Sequence, residues 1–171
     1  MEEWESECPI PACDLLYVRV HEGFINKPGK LRIPNAGAFY NAPKYRDGGK
    51  DLSSDWNKFC SPMDTKQRAG REYKTGTAIF KDPSKYYVVS FLIKSVLSLE
   101  DASGKPLNVK VEHSPMQEHF PNELAGYPWN RAHTSIIGDD EERRIKMIEI
   151  AKWEIPPSDY NSKDDTRTFA Y

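Results

Sequence analysis

Arg131 and His133 stand two residues apart in NRAHTS, and the hydroxyls of Thr134 and Ser135 follow at once. Arg19 and His21 repeat that spacing in LLYVRVHEGF, and a third histidine, His113, sits in VEHSP. Histidine titrates nearest neutrality, so two rings facing one substrate serve as base and acid in the same reaction. Arginine adds a planar fork that grips phosphate or carboxylate with two parallel bonds. Together these residues suit a small enzyme acting on a phosphorylated or nucleotide-type substrate. In that reading His133 works with His21 or His113 to move protons, Asp55 of LSSDW orients a ring, and Arg19 and Arg131 clamp the negative charge. Ser54 and Trp56 complete the set as substrate contacts, the indole serving as a stacking platform for a base or, in its plainer role, as a core anchor.

Each of these residues also has an ordinary structural use. His21 fits an exposed strand end, His113 fits a side chain bonded to the turn at Ser114 and Pro115, and Asp55 fits a helix or turn cap. His119 lies among loop residues and reads as surface. His133 carries the catalytic reading: His133→Ala is expected to abolish turnover at a stability cost of about half a kcal/mol or less, as at a surface position. His21, His113, His133 and Asp55 also have the ligand chemistry for a divalent metal, although no HxH or HExxH spacing marks such a site. No other cofactor is expected.

A sheet is needed to bring these positions together. Leu16, Val18 and Val20 alternate with Tyr17, Arg19 and His21, so the first strand presents an arginine and a histidine on one face and aliphatic residues on the other. KYYVVSFLIKSVLSL reads as a long central strand, EDASGKP as a turn and LNVKVEHSP as the returning strand, giving a central hairpin over about 85–113. Ser61, Pro62 and Asp64 mark the start of a short helix near 61–73. The run from Asp139 to Glu154 reads as a packed carboxy-terminal helix with Asp139 as its cap and Pro156 and Pro157 as its stop. The expected class is α+β, a mixed or antiparallel sheet with these two helices. Residues 1–171 form one domain, with an irregular lead-in over 1–13 and a polar tail over 157–171.

Composition narrows the function classes. The 171 residues carry 24 Lys and Arg against 26 Asp and Glu, a formal charge of −2, with no long basic run. Duplex DNA is therefore not an expected partner, because a duplex binder needs a stripe of cations to neutralise phosphates. No stretch approaches the roughly 20 apolar residues that span a bilayer, and MEEWESECPIP lacks the basic and apolar order of a secretory signal. The three cysteines, Cys8, Cys13 and Cys60, form no regular framework and read as free thiols in a reducing, cytoplasmic setting.

HTS at 133–135 followed by Ile136 resembles half of the H-x-[ST]-apolar motif of the two-histidine phosphoesterases; His113, followed by Ser114 and Pro115, does not supply the second copy. Arg19, the Ser53–Ser54 pair and Glu112 are similar to the arginine, serine and glutamate positions of one group of ADP-ribosyl transferases, which implies an ADP-ribosyl-transfer-like domain as an alternative. LSSDW, VEHSP and RAHTSIIG together resemble segments of small bacterial proteins that carry LSxDW and AHxxIxG patterns; that resemblance implies a bacterial source and brings no established activity. A different class of function rests on the aromatic and proline-rich loops at 26–50 and 116–130. Phe39, Tyr40, Tyr45, Phe120, Tyr127 and Trp129 there would anchor a protein partner in an accessory subunit, whereas the enzyme's partner is a small phosphate or nucleotide ligand.

Overall fold

The computed structural model describes residues 4–26, 32–40, 42–43, 50–74, 76–116, 130–138 and 141–169. Its strands are β1 (Leu15–His21), β2 (Ile25–Asn26), β3 (Ile33–Pro34), β4 (Ala42–Pro43), β5 (Lys50–Trp56), β6 (Tyr86–Leu92), β7 (Lys110–His113), β8 (His133–Ile137) and β9 (Lys152–Ile155). The helices are α1 (Pro62–Gln67), α2 (Ile93–Leu97) and α3 (Glu141–Ile150). The main sheet runs β7-β8-β5-β1-β6-β9 with every neighbouring pair antiparallel, and β4 attaches to the start of β5. The fold is thus α+β around an antiparallel sheet; β2 and β3 form a separate small ribbon.

Strand alternation divides this sheet into two unlike faces. Leu16, Val18, Leu52, Trp56, Val89, Phe91 and Ile136 line one face and are buried together with Phe39, Ile93, Val96 and Met147 from the segments packed over it. Phe39 meets Phe91 edge to face at 5.4 Å between centroids, an arrangement that favours the positive ring edge over the negative face. Tyr17, Arg19, Ser53, Asp55 and His133 belong to the opposite, polar face. Part of that face is covered by α1, whose Ser61 and Asp64 close a capping box, and by the 3-10 turn Arg68–Arg71 that follows it.

Three sequence expectations are corrected. The central hairpin over 85–113 closes only around its turn, where Glu100 bridges Pro106 and Leu107 N–H donates to the Leu99 carbonyl at 2.9 Å; its arms do not pair, since β6 lies beside β1 and β9 while β7 pairs with β8 at the far edge. After Leu92 the period changes, because Ile93 and Val96, three apart, turn inward on the short helix α2 rather than alternating as a strand. The carboxy-terminal helix ends at Ile150, and Lys152–Ile155 forms β9, where Trp153 pairs with Val89. Within α3 the buried side chains are Arg143 and Met147, and Ile145 faces outward. The expected cap Asp139 lies outside the described residues. Beyond β9 the chain stays against the body, with Arg32 Nε donating to Asp159 at 2.7 Å and Arg167 Nη1 donating to the Ile148 carbonyl at 2.7 Å.

Candidate functional site

β1 and β5 are neighbours for only part of their length. Their ladder holds Leu16 opposite Trp56 and Tyr17 opposite Asp55, then stops, although β1 continues to pair with β6 as far as His21. β5 meanwhile pairs with β8 from Asp51 to Asp55, and at its start it pairs with β4 through Asp51 and Ala42. Between those two attachments, at Leu52–Ser54, the inner edge of β5 has no ladder to β1 among the described residues. A cleft of about 310 Å³ sits over this opening, lined by residues of both strands together with Thr65, Arg68, Glu72, Lys81, Tyr86, Asn130 and His133. That volume lies at the small end of the range for ligand pockets.

His133 is the best-defined group in the cleft. It is buried, contrary to the surface position expected from sequence, because β8 is an inner strand flanked by β5 and β7. Its Nδ1 lies 2.8 Å from the Ser114 carbonyl oxygen and 2.9 Å from Ser114 Oγ; the carbonyl accepts only from the Nδ1–H form of the ring, whereas the hydroxyl can donate to an unprotonated Nδ1. Nε2 lies 3.2 Å from Ser53 Oγ, an exposed hydroxyl on the cleft floor, and in the Nδ1–H form it accepts from that hydroxyl. With the proton on Nδ1, the serine, the histidine and the Ser114 carbonyl stand in the order a nucleophilic hydroxyl needs for a proton relay. Ser53, which the sequence offers only within the Ser53–Ser54 pair of the ADP-ribosyl-transfer alternative, takes the place expected of Ser54. The signal was the alternation itself, since Ser53 and Asp55 share the polar face while Ser54 and Trp56 share the other.

Arg19 lies across the opening. Its Nη2 donates to Glu72 at 2.5 Å, its guanidinium lies 5.9 Å from the Tyr86 ring centroid, and its buried Nη1 has no acceptor among the described residues. Glu72 binds Lys81 through its other oxygen at 2.8 Å. Burial pushes the Glu72 carboxyl up, but Arg19 and Lys81 outweigh it and hold the group below its ordinary value. Arg68 donates to Asp55, whose second oxygen accepts from Asn130 at 2.7 Å. Three cations and two carboxylates therefore line the cleft among the described residues, leaving it net positive with one guanidinium nitrogen uncommitted.

The remaining candidates are held elsewhere. His113 is on the apolar face, where it donates from Nε2 to the Arg131 carbonyl at 2.7 Å, accepts at Nδ1 from Glu7 N–H at 3.0 Å and stacks on Phe59. Trp56 is core, its indole N–H donating to Asp14 at 2.7 Å. Ser54 bonds Thr134 Oγ1 at 2.7 Å on the same buried face. The Arg131 guanidinium lies 4.5 Å from the Phe59 centroid, away from the cleft residues. His21 is on the polar face but caps a 3-10 turn by accepting from Gly23 N–H at 3.1 Å, with its ring edge against Tyr86. Asp55, committed to Arg68 and Asn130, sits opposite His133 in the ladder without orienting its ring. The expected convergence thus reduces to Arg19, Asp55 and His133, joined by Ser53.

No group of three or more histidine, cysteine, aspartate or glutamate side chains among the described residues is arranged to hold a metal ion. The proposed metal set of His21, His113, His133 and Asp55 is divided between two faces of the sheet, so it cannot close around one ion. Glu112 projects on the polar face of the edge strand β7, opposite Ser135, and does not line the cleft that holds Arg19 and Ser53. The loops at 26–50 and 116–130 fall largely outside the described residues, as do Tyr45, His119, Phe120, Tyr127 and Trp129. No helix among the described residues is long and apolar enough to cross a membrane. No family model, curated protein or solved structure matches this chain.

Proposed function

We propose that this chain is a small cytosolic enzyme acting on a phosphorylated substrate, with Ser53 as nucleophile, His133 as its base and acid, and Arg19 as the anion grip. One observation carries the reading: an exposed serine hydroxyl lies 3.2 Å from Nε2 of a buried histidine in a net-positive cleft. Two carboxylates in a wet surface cluster would repel a phosphate, but here both are neutralised by bonded cations.

In the first step Ser53 Oγ attacks phosphorus. The Oγ–P bond forms while the bond to the departing oxygen breaks; His133 Nε2 takes the serine proton and delivers it to that leaving oxygen. The Ser114 carbonyl, accepting from Nδ1–H, favours the transient imidazolium. Water then attacks phosphorus with His133 as base, the Oγ–P bond breaks, and the proton returns to Ser53. Arg19 neutralises the non-bridging oxygens through both steps. The test is turnover of p-nitrophenyl phosphate and its diester by the purified protein, with phosphoserine trapped at Ser53 by acid quench and mass spectrometry. Turnover without a modified Ser53 removes the serine from nucleophilic duty; no turnover of any phosphoester removes the reading.

A second reading, a protein-binding accessory subunit, has one structural observation in its favour. The arm between Glu72 and Lys81 stacks Tyr73 on Phe80 at 4.5 Å between centroids and leaves Phe80 and Ile79 more than half exposed. Such a patch suits a partner surface. Copurification of a stoichiometric partner that is lost on Phe80→Ser would favour it over the enzyme.

A further inference from the structure

Tyr40 lines the cleft and is 62% exposed, whereas Tyr17 and Tyr86, which also line it, are buried and half-buried. The exposure is not slack in the chain. Phe39, one residue earlier, is fully buried with its ring edge to face with Phe91, Arg143 Nη2 donates to the Phe39 carbonyl at 3.2 Å, and the Tyr40 N–H closes the 3-10 turn Ala36–Phe39 on the Gly37 carbonyl. The main chain at Tyr40 is thus pinned from α3 and from the core. Its ring is held as well: the Arg144 guanidinium lies over it, 5.1 Å from the centroid, a cation against the negative face of an aromatic. One face of the ring is backed by arginine, and what stays exposed is a flat apolar surface on a rigid mount.

The place of that residue in the cleft follows from register. β4 sets Ala42 opposite Asp51; Tyr40 precedes Ala42 by two residues as Ser53 follows Asp51 by two, so the antiparallel count brings Tyr40 level with Ser53. Ser53 Oγ is on the floor, 3.2 Å from His133 Nε2, and Tyr40, with most of its surface in solvent, is at the rim. A ligand whose phosphate reaches Ser53 and Arg19 therefore needs a spacer before a flat group can lie on Tyr40. A phosphorylated sugar or alkyl chain leaves the ring unused, and an aryl group bonded directly to the phosphate stays at the floor. A nucleoside monophosphate has the three parts in the required order: phosphate, sugar, and a base whose π-face stacks on an aromatic side chain. The stacking role expected of Trp56 passes to Tyr40, because Trp56 is sealed in the core.

We propose that Tyr40, backed by Arg144, is the stacking platform for the base of a nucleoside monophosphate whose phosphate lies at Arg19 and Ser53. The proposal names the substrate class of the site and rests, for the phosphate end, on the phosphoester reading. The step on such a substrate is the one already balanced above, with the sugar oxygen of the nucleoside as leaving group.

The experiment is calorimetric titration of the wild-type protein, Tyr40→Ser and Tyr40→Phe with adenosine monophosphate, ribose 5-phosphate, phenyl phosphate and adenosine, with NMR of the adenine protons and phosphate release followed in the same samples. Tyr40 is exposed, so neither substitution disturbs the core. The platform predicts that adenosine monophosphate binds about tenfold tighter than ribose 5-phosphate or phenyl phosphate, the scale of one base stack, with its adenine protons shifted upfield by the tyrosine ring. Tyr40→Ser removes both the advantage and the shift, and Tyr40→Phe keeps them. Equal affinity for adenosine monophosphate and ribose 5-phosphate overturns the proposal, as does phenyl phosphate binding equally well, or an advantage that survives Tyr40→Ser. The phosphoester reading fails separately. Tyr40-dependent binding of adenosine monophosphate that is no tighter than that of adenosine, with no phosphate released, keeps the platform and defeats the enzyme, whereas release from ribose 5-phosphate with no preference for the nucleotide does the reverse.

Discussion

His133 Nε2 lies 3.2 Å from Ser53 Oγ across the β8–β5 ladder, diagonal to the direct partners Asp55 and Ser135. The two residues are far apart in sequence, and only the register of these strands makes them neighbours. A shift of one residue would turn Ser54, not Ser53, toward the histidine's face.

Ser53 is exposed, so Ser53→Ala costs little stability, within about 0.5 kcal/mol. The account expects it to lower kcat on a phosphoester by a factor of about 10³, the scale of a lost nucleophile or general base. His133→Gln is the companion change, chosen because the ring is buried and an apolar replacement would strand the Ser114 carbonyl. Steady-state kinetics and thermal melts on both variants separate the effects: kcat falls in each while the Ser53→Ala melt is unmoved.

Glu72 gives a pH dependence with a definite sign. Burial pushes its carboxyl up, but Arg19 and Lys81 outweigh that and hold it below the ordinary glutamate range in the folded protein. A depressed folded value means the unfolded chain binds the proton more readily, so the contribution is fully present above about pH 4.5 and is lost as pH falls through the folded value. Urea unfolding should show Glu72→Gln less stable than wild type by about 1–3 kcal/mol at pH 7, the gap closing in acid below 4.5.

His113 is predicted to matter for stability and not for turnover. Truncation to alanine removes two hydrogen bonds to main chain and the stack on Phe59, and it leaves the Arg131 carbonyl and the Glu7 amide to find new partners. A loss of about 2–4 kcal/mol follows, read by denaturant titration, with kcat unchanged once the variant is folded.

Cys60 should be the slow thiol. Burial, with Asp55 adding repulsion, pushes it up to about 11, whereas Cys8 and Cys13 are exposed. The thiolate is the reactive form. Iodoacetamide at pH 8 should therefore modify Cys8 and Cys13 in the native protein well before Cys60, a difference read by peptide mass spectrometry and abolished in urea.

Sequence made the polar face of β1 legible, because Tyr17, Arg19 and His21 alternate cleanly with buried aliphatics, and it made α1 legible through Ser61, Pro62 and Asp64. His133 also stood out from its own segment. What could not be read was the pairing of strands, which depends on contacts between residues distant in the chain. The run at 85–113 looks like a hairpin locally, yet β7 finds its partner in β8. For the same reason, His113 appears beside the other histidines in composition and is placed by register on the opposite face. Ser53 and Ser54 are equivalent as letters, and only the phase set by Trp56 packing into the core decides which hydroxyl meets the histidine.

The most direct test is a nitrogen-15 NMR titration of the histidine rings with inorganic phosphate, repeated on Arg19→Gln and Ser53→Ala. The account predicts an unliganded His133 protonated on Nδ1, a phosphate-dependent shift at its Nε2 that is lost in Arg19→Gln, and still rings at His21 and His113. A His133 ring protonated on Nε2, or one that ignores phosphate while the ligand binds elsewhere, would contradict the placement of the active centre at Ser53, His133 and Arg19.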